Sequence, residues 1–233
     1  MIIDKDKLLE EKDNILNFLL KNKDLYKEDE FKEIFATFYL DILLFNDIIG
    51  GNYRVAQILS KFNIFKEKYD PYLTVYNILN KYDFINGNIV EVGCGTYPRL
   101  AEIIKDNHKS NNYNLTVYDT CNIFKMNDIS IIKEKFTMST NIDNVDTLVG
   151  IYPCDASVDL TLKGIEENKN LVIAYCSCDH SSDKYQHNFL EYWADDFCYY
   201  IKKKYGDDVK IMNWRNYPKR RLPILVHKKR ISK

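Results

Sequence analysis

The segment Ile89-Val90-Glu91-Val92-Gly93-Cys94-Gly95-Thr96-Tyr97-Pro98-Arg99-Leu100-Ala101 restricts the fold more than any other part of the chain. A short apolar run of strand type ends in Gly-x-Gly and passes into a helical pattern. Gly93 and Gly95 can take backbone angles closed to other residues and carry no side chain, so the turn can pass close to a ligand. Pro98 suits the first turn of a helix, where its missing N–H costs nothing. A second apolar run, Leu115-Thr116-Val117-Tyr118, ends in Asp119. An acid about 20 positions beyond a Gly-rich turn is placed to accept from ribose hydroxyls. The same turn would also serve a plain strand-to-helix connection with no ligand.

From Ile89 onward the pattern alternates. Strands are expected at 89–92, 115–119, 129–133, 145–151 and 170–175, and helices at about 98–107, 156–168 and 184–204. Two last strands, near 209–214 and 222–227, read as an antiparallel pair. Such alternation implies a parallel sheet with helices on both faces. Sheets of this kind bind ligands beyond the carboxyl ends of their strands, so the working residues should follow each strand. Residues 1–85 carry helical spacing instead: Leu8, Leu9, Ile15, Leu16, Leu19 and Leu20, then Phe31, Ile34, Phe35, Phe38, Ile42 and Phe45. Two further helical stretches cover about 53–66 and 71–82. The expected division is a helical N-terminal cap at 1–86 and a ligand-binding α/β domain at 87–233.

A dinucleotide site wants G-x-G-x-x-G, with the third glycine allowing tight helix–strand packing. Pro98 stands at that third position. The segment instead resembles the first motif of the class I S-adenosylmethionine-dependent methyltransferases, over roughly residues 86–230. Glu91, Gly93, Gly95 and Asp119 match its pattern of strand acid, Gly-x-Gly and second-strand acid. The resemblance implies a Rossmann-like, doubly wound methyltransferase sheet with S-adenosylmethionine as cofactor. It also implies that Glu91, Gly93, Cys94, Gly95, Asp119, Thr120 and Tyr152 lie around that cofactor, with the turn at its methionine end and Asp119 on its ribose.

On the acceptor side, strand four is followed by Tyr152-Pro153-Cys154-Asp155. Enzymes of this fold that methylate amide or exocyclic nitrogens often carry Asn-Pro-Pro-Tyr or Asp-Pro-Pro-Tyr there, and this run departs from both. Tyr152 can stack or hydrogen-bond, and Asp155 can orient or deprotonate an acceptor. Asp155 would equally serve as the N-cap of the next helix. Strand five leads into Tyr175-Cys176-Ser177-Cys178-Asp179-His180, where His180 is a candidate general base. Cys154, Cys178 and His180 also match a methyltransferase-like group that includes a tRNA 2′-O-methyltransferase. Tyr152, Asp155 and Ser177 depart from that group's pattern. As metal ligands, these cysteines lack the C-x₂₋₄-C spacing of structural zinc sites, and no metal is expected.

Net charge is −1 over 233 residues, so no global field advertises nucleic acid or a membrane. The longest apolar run, 36–50, contains Asp41 and Asp47 and is too short and charged to span a bilayer. Met1-Ile2-Ile3-Asp4 is charged within four residues, unlike a signal peptide. Six cysteines in such a chain are expected to be thiols of a cytoplasmic protein. The basic stretch from Lys219 to Lys233, with Trp214 and Tyr217 nearby, suits phosphate binding and base stacking, or simple solvation. The expected function is methyl transfer to a small-molecule acceptor. RNA methylation, and a nicotianamine-synthase-like transfer of an aminocarboxypropyl group, are the alternatives. The sequence sets no oligomeric state.

Overall fold

The computed structural model describes residues 3–38, 53–66, 69–110, 112–176, 193–215 and 221–230. Seven strands form one sheet: β1 (Gly87–Val92), β2 (Tyr113–Tyr118), β3 (Ile129–Ile132), β4 (Thr147–Ile151), β5 (Asn170–Ala174), β6 (Val209–Arg215) and β7 (Arg221–His227). Their spatial order is β3-β2-β1-β4-β5-β7-β6. The first five are parallel, with Ile89 opposite both Leu115 of β2 and Thr147 of β4. β7 runs antiparallel to both β5 and β6, as the sequence pattern predicts for the last pair. β4 and β5 are buried along their whole length, which fits their continuous apolar runs.

The order reverses at the centre. β1 leads through α5 (Arg99–Asn107) to β2 on one side, and β4 leads through α6 (Ser157–Glu166) to β5 on the other. Crossovers between parallel strands are right-handed, so these two helices fall on opposite faces of the sheet. The gap beyond the ends of β1 and β4 is therefore the topological switch point, where such sheets take their ligands. α7 (Trp193–Tyr205) packs against β6 and β7. It supplies Trp193 and Phe197, which meet Tyr175 edge-on at 5.8 and 5.9 Å.

Among the described residues four α-helices precede the sheet: α1 (Lys5–Lys21), α2 (Glu28–Ala36), α3 (Tyr53–Lys61) and α4 (Pro71–Lys81). They do not share one core. Leu8, Ile15, Leu19, Ile34, Val55 and Leu59 form an apolar cluster of their own. Tyr72, Val75, Ile78 and Leu79 of α4 belong to the sheet's core instead. α4 begins sharply because Asp70 accepts the Tyr72 and Leu73 N–H groups at 2.8 and 3.1 Å and Pro71 takes the first helical position.

Between the two clusters the contact is partly aromatic, with Phe18 of α1 edge-on to Tyr97 at 5.5 Å, and partly polar. Ser60 donates to Asp70 at 2.7 Å and accepts from Arg99 Nε at 3.1 Å. Lys61 and Arg99 both pair with Glu102, at 2.8 and 2.5 Å. No helix among the described residues is long and apolar enough to cross a membrane.

Candidate active site

A cleft of ≈ 360 Å³ opens at the switch point. Its walls are Val92 and Gly93 from the end of β1, Tyr118, Asp119 and Thr120 from the end of β2, Glu134, Lys135 and Phe136 beyond β3, and Tyr152 to Ala156 beyond β4. Its size lies in the usual range for small-molecule sites.

The turn after β1 is held at every step. Gly93 N–H donates to the Tyr118 carbonyl at 2.8 Å. Gly95 N–H donates to Asp119 Oδ2 at 2.8 Å, and Cys121 N–H to Asp119 Oδ1 at 3.1 Å. Phe124 N–H reaches the Thr96 carbonyl at 2.8 Å. Gly93 and Gly95 both have positive φ, +72° and +67°. A Cβ on Gly93 would lie 2.6 Å from Pro153 Cα, so glycine is what lets the β1 turn and the β4 loop close on each other. A Cβ on Gly95 would meet Gln57 Nε2 of α3 at 2.5 Å.

The opposite wall carries local strain. Tyr152 and Cys154 are both in the left-handed region, with φ of 55° and 44°. A bulky residue there is uncommon and costs of order 1–3 kcal/mol, a feature that gathers at functional sites. Tyr152 is held in place by its N–H, which donates to the Ala174 carbonyl at 2.9 Å, and its side chain is buried.

Beneath the turn, Glu91 is 3 % exposed and accepts the Ala101 N–H of α5 at 3.3 Å. Burial pushes its carboxyl pKa up to about 8 against that hydrogen bond, and the charge of Asp119 adds to the rise. Burial likewise raises the Cys121 thiol to about 12, with Asp119 acting in the same direction. Neither thiolate nor carboxylate chemistry is favoured at those two positions near neutral pH.

Seven strands in the order 3-2-1-4-5-7-6, the seventh reversed, surround a cleft at the β1–β4 switch point. This is the class I methyltransferase fold. Neither the comparison with protein-family models nor that with curated proteins gives a match. Among solved structures, this methyltransferase fold is similar to the plantazolicin methyltransferase BpumL in complex with SAH. The identity is 12% over 93% of this chain and 99% of that chain, with a TM-score of 0.48. It is also similar to the 23S rRNA methyltransferase ErmE, at 11% identity over 67% of each chain and a TM-score of 0.43. The strand order, rather than these overlays, identifies the methyltransferase fold, and a fold alone fixes no substrate.

Of the residues picked out in sequence, Gly93, Asp119, Thr120, Tyr152 and Asp155 line the cleft at the switch point of this methyltransferase fold. Glu91, Cys94 and Gly95 do not. Glu91 lies below the turn, and the Cys94 side chain is 1 % exposed in the sheet's core. Gly95 spends its N–H on Asp119 and its open side on Gln57. Asp155 is exposed in the short 3₁₀ turn Cys154–Ala156, and the N-cap position of α6 is Ala156. The N-cap reading of Asp155 is thereby corrected: the extra turn moves the start of α6 one residue beyond it.

His180, with Ser177 and Cys178, lies outside the described residues, as do Lys219, Arg220 and Tyr217. Cys94, Cys121, Cys154, Cys176 and Cys198 are free thiols. Sequence reading missed four residues. Glu134, Lys135 and Phe136 follow β3, and the rule that ligands bind beyond the carboxyl ends of strands points to them. Gln57 had no such signal.

Proposed function

We propose that this chain is an S-adenosylmethionine-dependent methyltransferase acting on a small-molecule acceptor. The observation that carries the reading is Asp119. It directly follows β2, stands on the cleft wall, and anchors the Gly-x-Gly turn through Gly95 N–H. Each carboxylate oxygen accepts one N–H, the Cys121 thiol also reaches the carboxylate, and a lone pair is left for a ribose hydroxyl.

The rest of the cleft fits the same cofactor. Tyr118, Phe136 and Tyr152 offer apolar surface for a flat base. Three carboxylates, Asp119, Glu134 and Asp155, face one ammonium, Lys135. That balance favours a cationic sulfonium. It disfavours a polyanion such as RNA at the mouth of the cleft, which supports a small acceptor over the RNA alternative.

When bound, S-adenosylmethionine supplies a methyl group activated by a sulfonium. The chain's own part is to hold and to shield. The turn at Gly93 and the strained Tyr152–Cys154 loop set the two walls. Asp155, exposed at the cleft, orients the acceptor and takes its proton. We place the protein in the cytoplasm on the same reading.

Incubation with S-adenosylmethionine and either a small-metabolite extract or total RNA tests the proposal. The expected result is S-adenosylhomocysteine with the metabolites and none above background with RNA. Methylthioadenosine as co-product would instead assign aminocarboxypropyl transfer. A protein that fails to bind S-adenosylmethionine in calorimetry is not a methyltransferase.

A further inference from the structure

Gln57 belongs to α3, outside the sheet, and is 2 % exposed. A buried amide is costly unless its hydrogen bonds are made, so packing alone would favour an apolar residue here, as at its neighbours Val55, Ala56 and Leu59. Both ends of the Gln57 amide are engaged by the turn after β1. Nε2 donates to the Cys94 carbonyl. Oε1 accepts the Tyr97 N–H at 3.5 Å.

The match is steric as well as polar. Gly95 leaves the room that the amide fills, since a Cβ there would come within 2.5 Å of Nε2. Asp119 grips the same turn from its other side, through Gly95 N–H at 2.8 Å. Residues three and four apart share a helix face, and the next turn of α3 continues the seam with Ser60 and Lys61. Ser60 accepts from Arg99 at 3.1 Å, and Lys61 pairs with Glu102 at 2.8 Å.

We infer that Gln57 is a positioning residue for cofactor binding. It holds the Gly93–Tyr97 turn in the shape that receives the amino-acid end of the cofactor, and so ties cofactor affinity to the seating of the N-terminal helices. The inference rests on the methyltransferase reading above. The physical reason is preorganisation. A turn with two glycines at positive φ has many conformations open to it when released. Ordering it at the moment of binding would be charged against affinity, and Gln57 meets that cost in advance.

Gln57→Met keeps the length and bulk of the side chain and removes both hydrogen bonds. Affinities for S-adenosylhomocysteine and methylthioadenosine are measured by calorimetry well below the unfolding midpoint. The variant should bind S-adenosylhomocysteine roughly tenfold more weakly, the scale of one lost hydrogen bond. Methylthioadenosine has no amino-acid end and should lose less than about threefold on the same scale. Amides of residues 93–97 should exchange faster than in the parent protein, and those of α1 should not.

Ser60→Ala removes a buried bond from the same helix and should lower the midpoint without this split between ligands. If Gln57→Met does not fold, Gln57→Leu must show the split, since it also removes both hydrogen-bonding groups and carries less bulk. An unchanged affinity, an equal loss for both ligands, or unchanged exchange in the turn overturns the inference. A parent protein that binds neither ligand removes the methyltransferase reading itself, while the exchange data still report whether Gln57 holds the turn.

Discussion

Asp119 Oδ2 accepts the Gly95 N–H at 2.8 Å, joining the end of β2 to the turn that leaves β1. One carboxylate thus shapes the turn and faces the cleft at once. Any substitution at position 119 acts on both.

Asp119→Ala is expected to weaken S-adenosylmethionine binding by ~1.5–3 kcal/mol, the scale of hydrogen bonds to a charged group. Asp119→Asn keeps one acceptor oxygen and should lose less. Calorimetry on the two variants checks the order, and full affinity in the alanine variant would exclude a ribose role.

Gly93→Ala should be the more damaging of two glycine replacements. Its Cβ meets the Pro153 backbone at 2.6 Å in addition to the positive φ. Gly206 has φ +57° and nothing within 4 Å of an added Cβ, so Gly206→Ala carries the backbone term alone. That term is about 1–2 kcal/mol. Urea midpoints at equal slope should place Gly93→Ala clearly below Gly206→Ala.

Glu91 makes stability fall as pH rises. Its pKa is about 8 in the folded protein against an ordinary value of 4.5. Between those values the folded chain keeps a proton that the unfolded chain has released, so alkaline conditions favour unfolding. The contribution is complete below the ordinary value and lost above about 8. Glu91→Gln cannot ionise and should gain in melting temperature relative to the parent protein on going from acid to mildly alkaline buffer. An equal difference at both ends of that range would show that Glu91 does not titrate this way.

Asp155→Asn should cut turnover and leave cofactor affinity nearly unchanged, because it alters only a contact to the reacting group. Ala156, not Asp155, holds the N-cap position of α6. An exposed substitution of this kind stays within about 0.5 kcal/mol in stability. Steady-state rates and a melting curve on the same sample separate the two effects.

The local pattern determined more of this protein than its low similarity to solved structures would suggest. Gly93, Gly95 and Asp119 were legible because a strand, a turn that needs positive φ and a second strand follow one another in the chain. Period-two and period-3.6 spacing likewise placed β1, β2, β4, β5, α5 and α6, and marked the last two strands as an antiparallel pair.

Tertiary structure alone decided the rest. Helical spacing says which face of α4 is apolar, yet only packing puts Tyr72 and Leu79 in the sheet's core rather than with α1 to α3. Asp155 and Ala156 compete for one N-cap position, and the 3₁₀ turn that the strained Tyr152–Cys154 loop feeds decides between them. Gln57 has no partner within its own helix that could announce it, because its two acceptor and donor groups lie 37 and 40 residues away. Periodicity and turn chemistry act over a few residues and are written in order along the chain. A hydrogen bond between distant segments depends on where the whole fold sets them down.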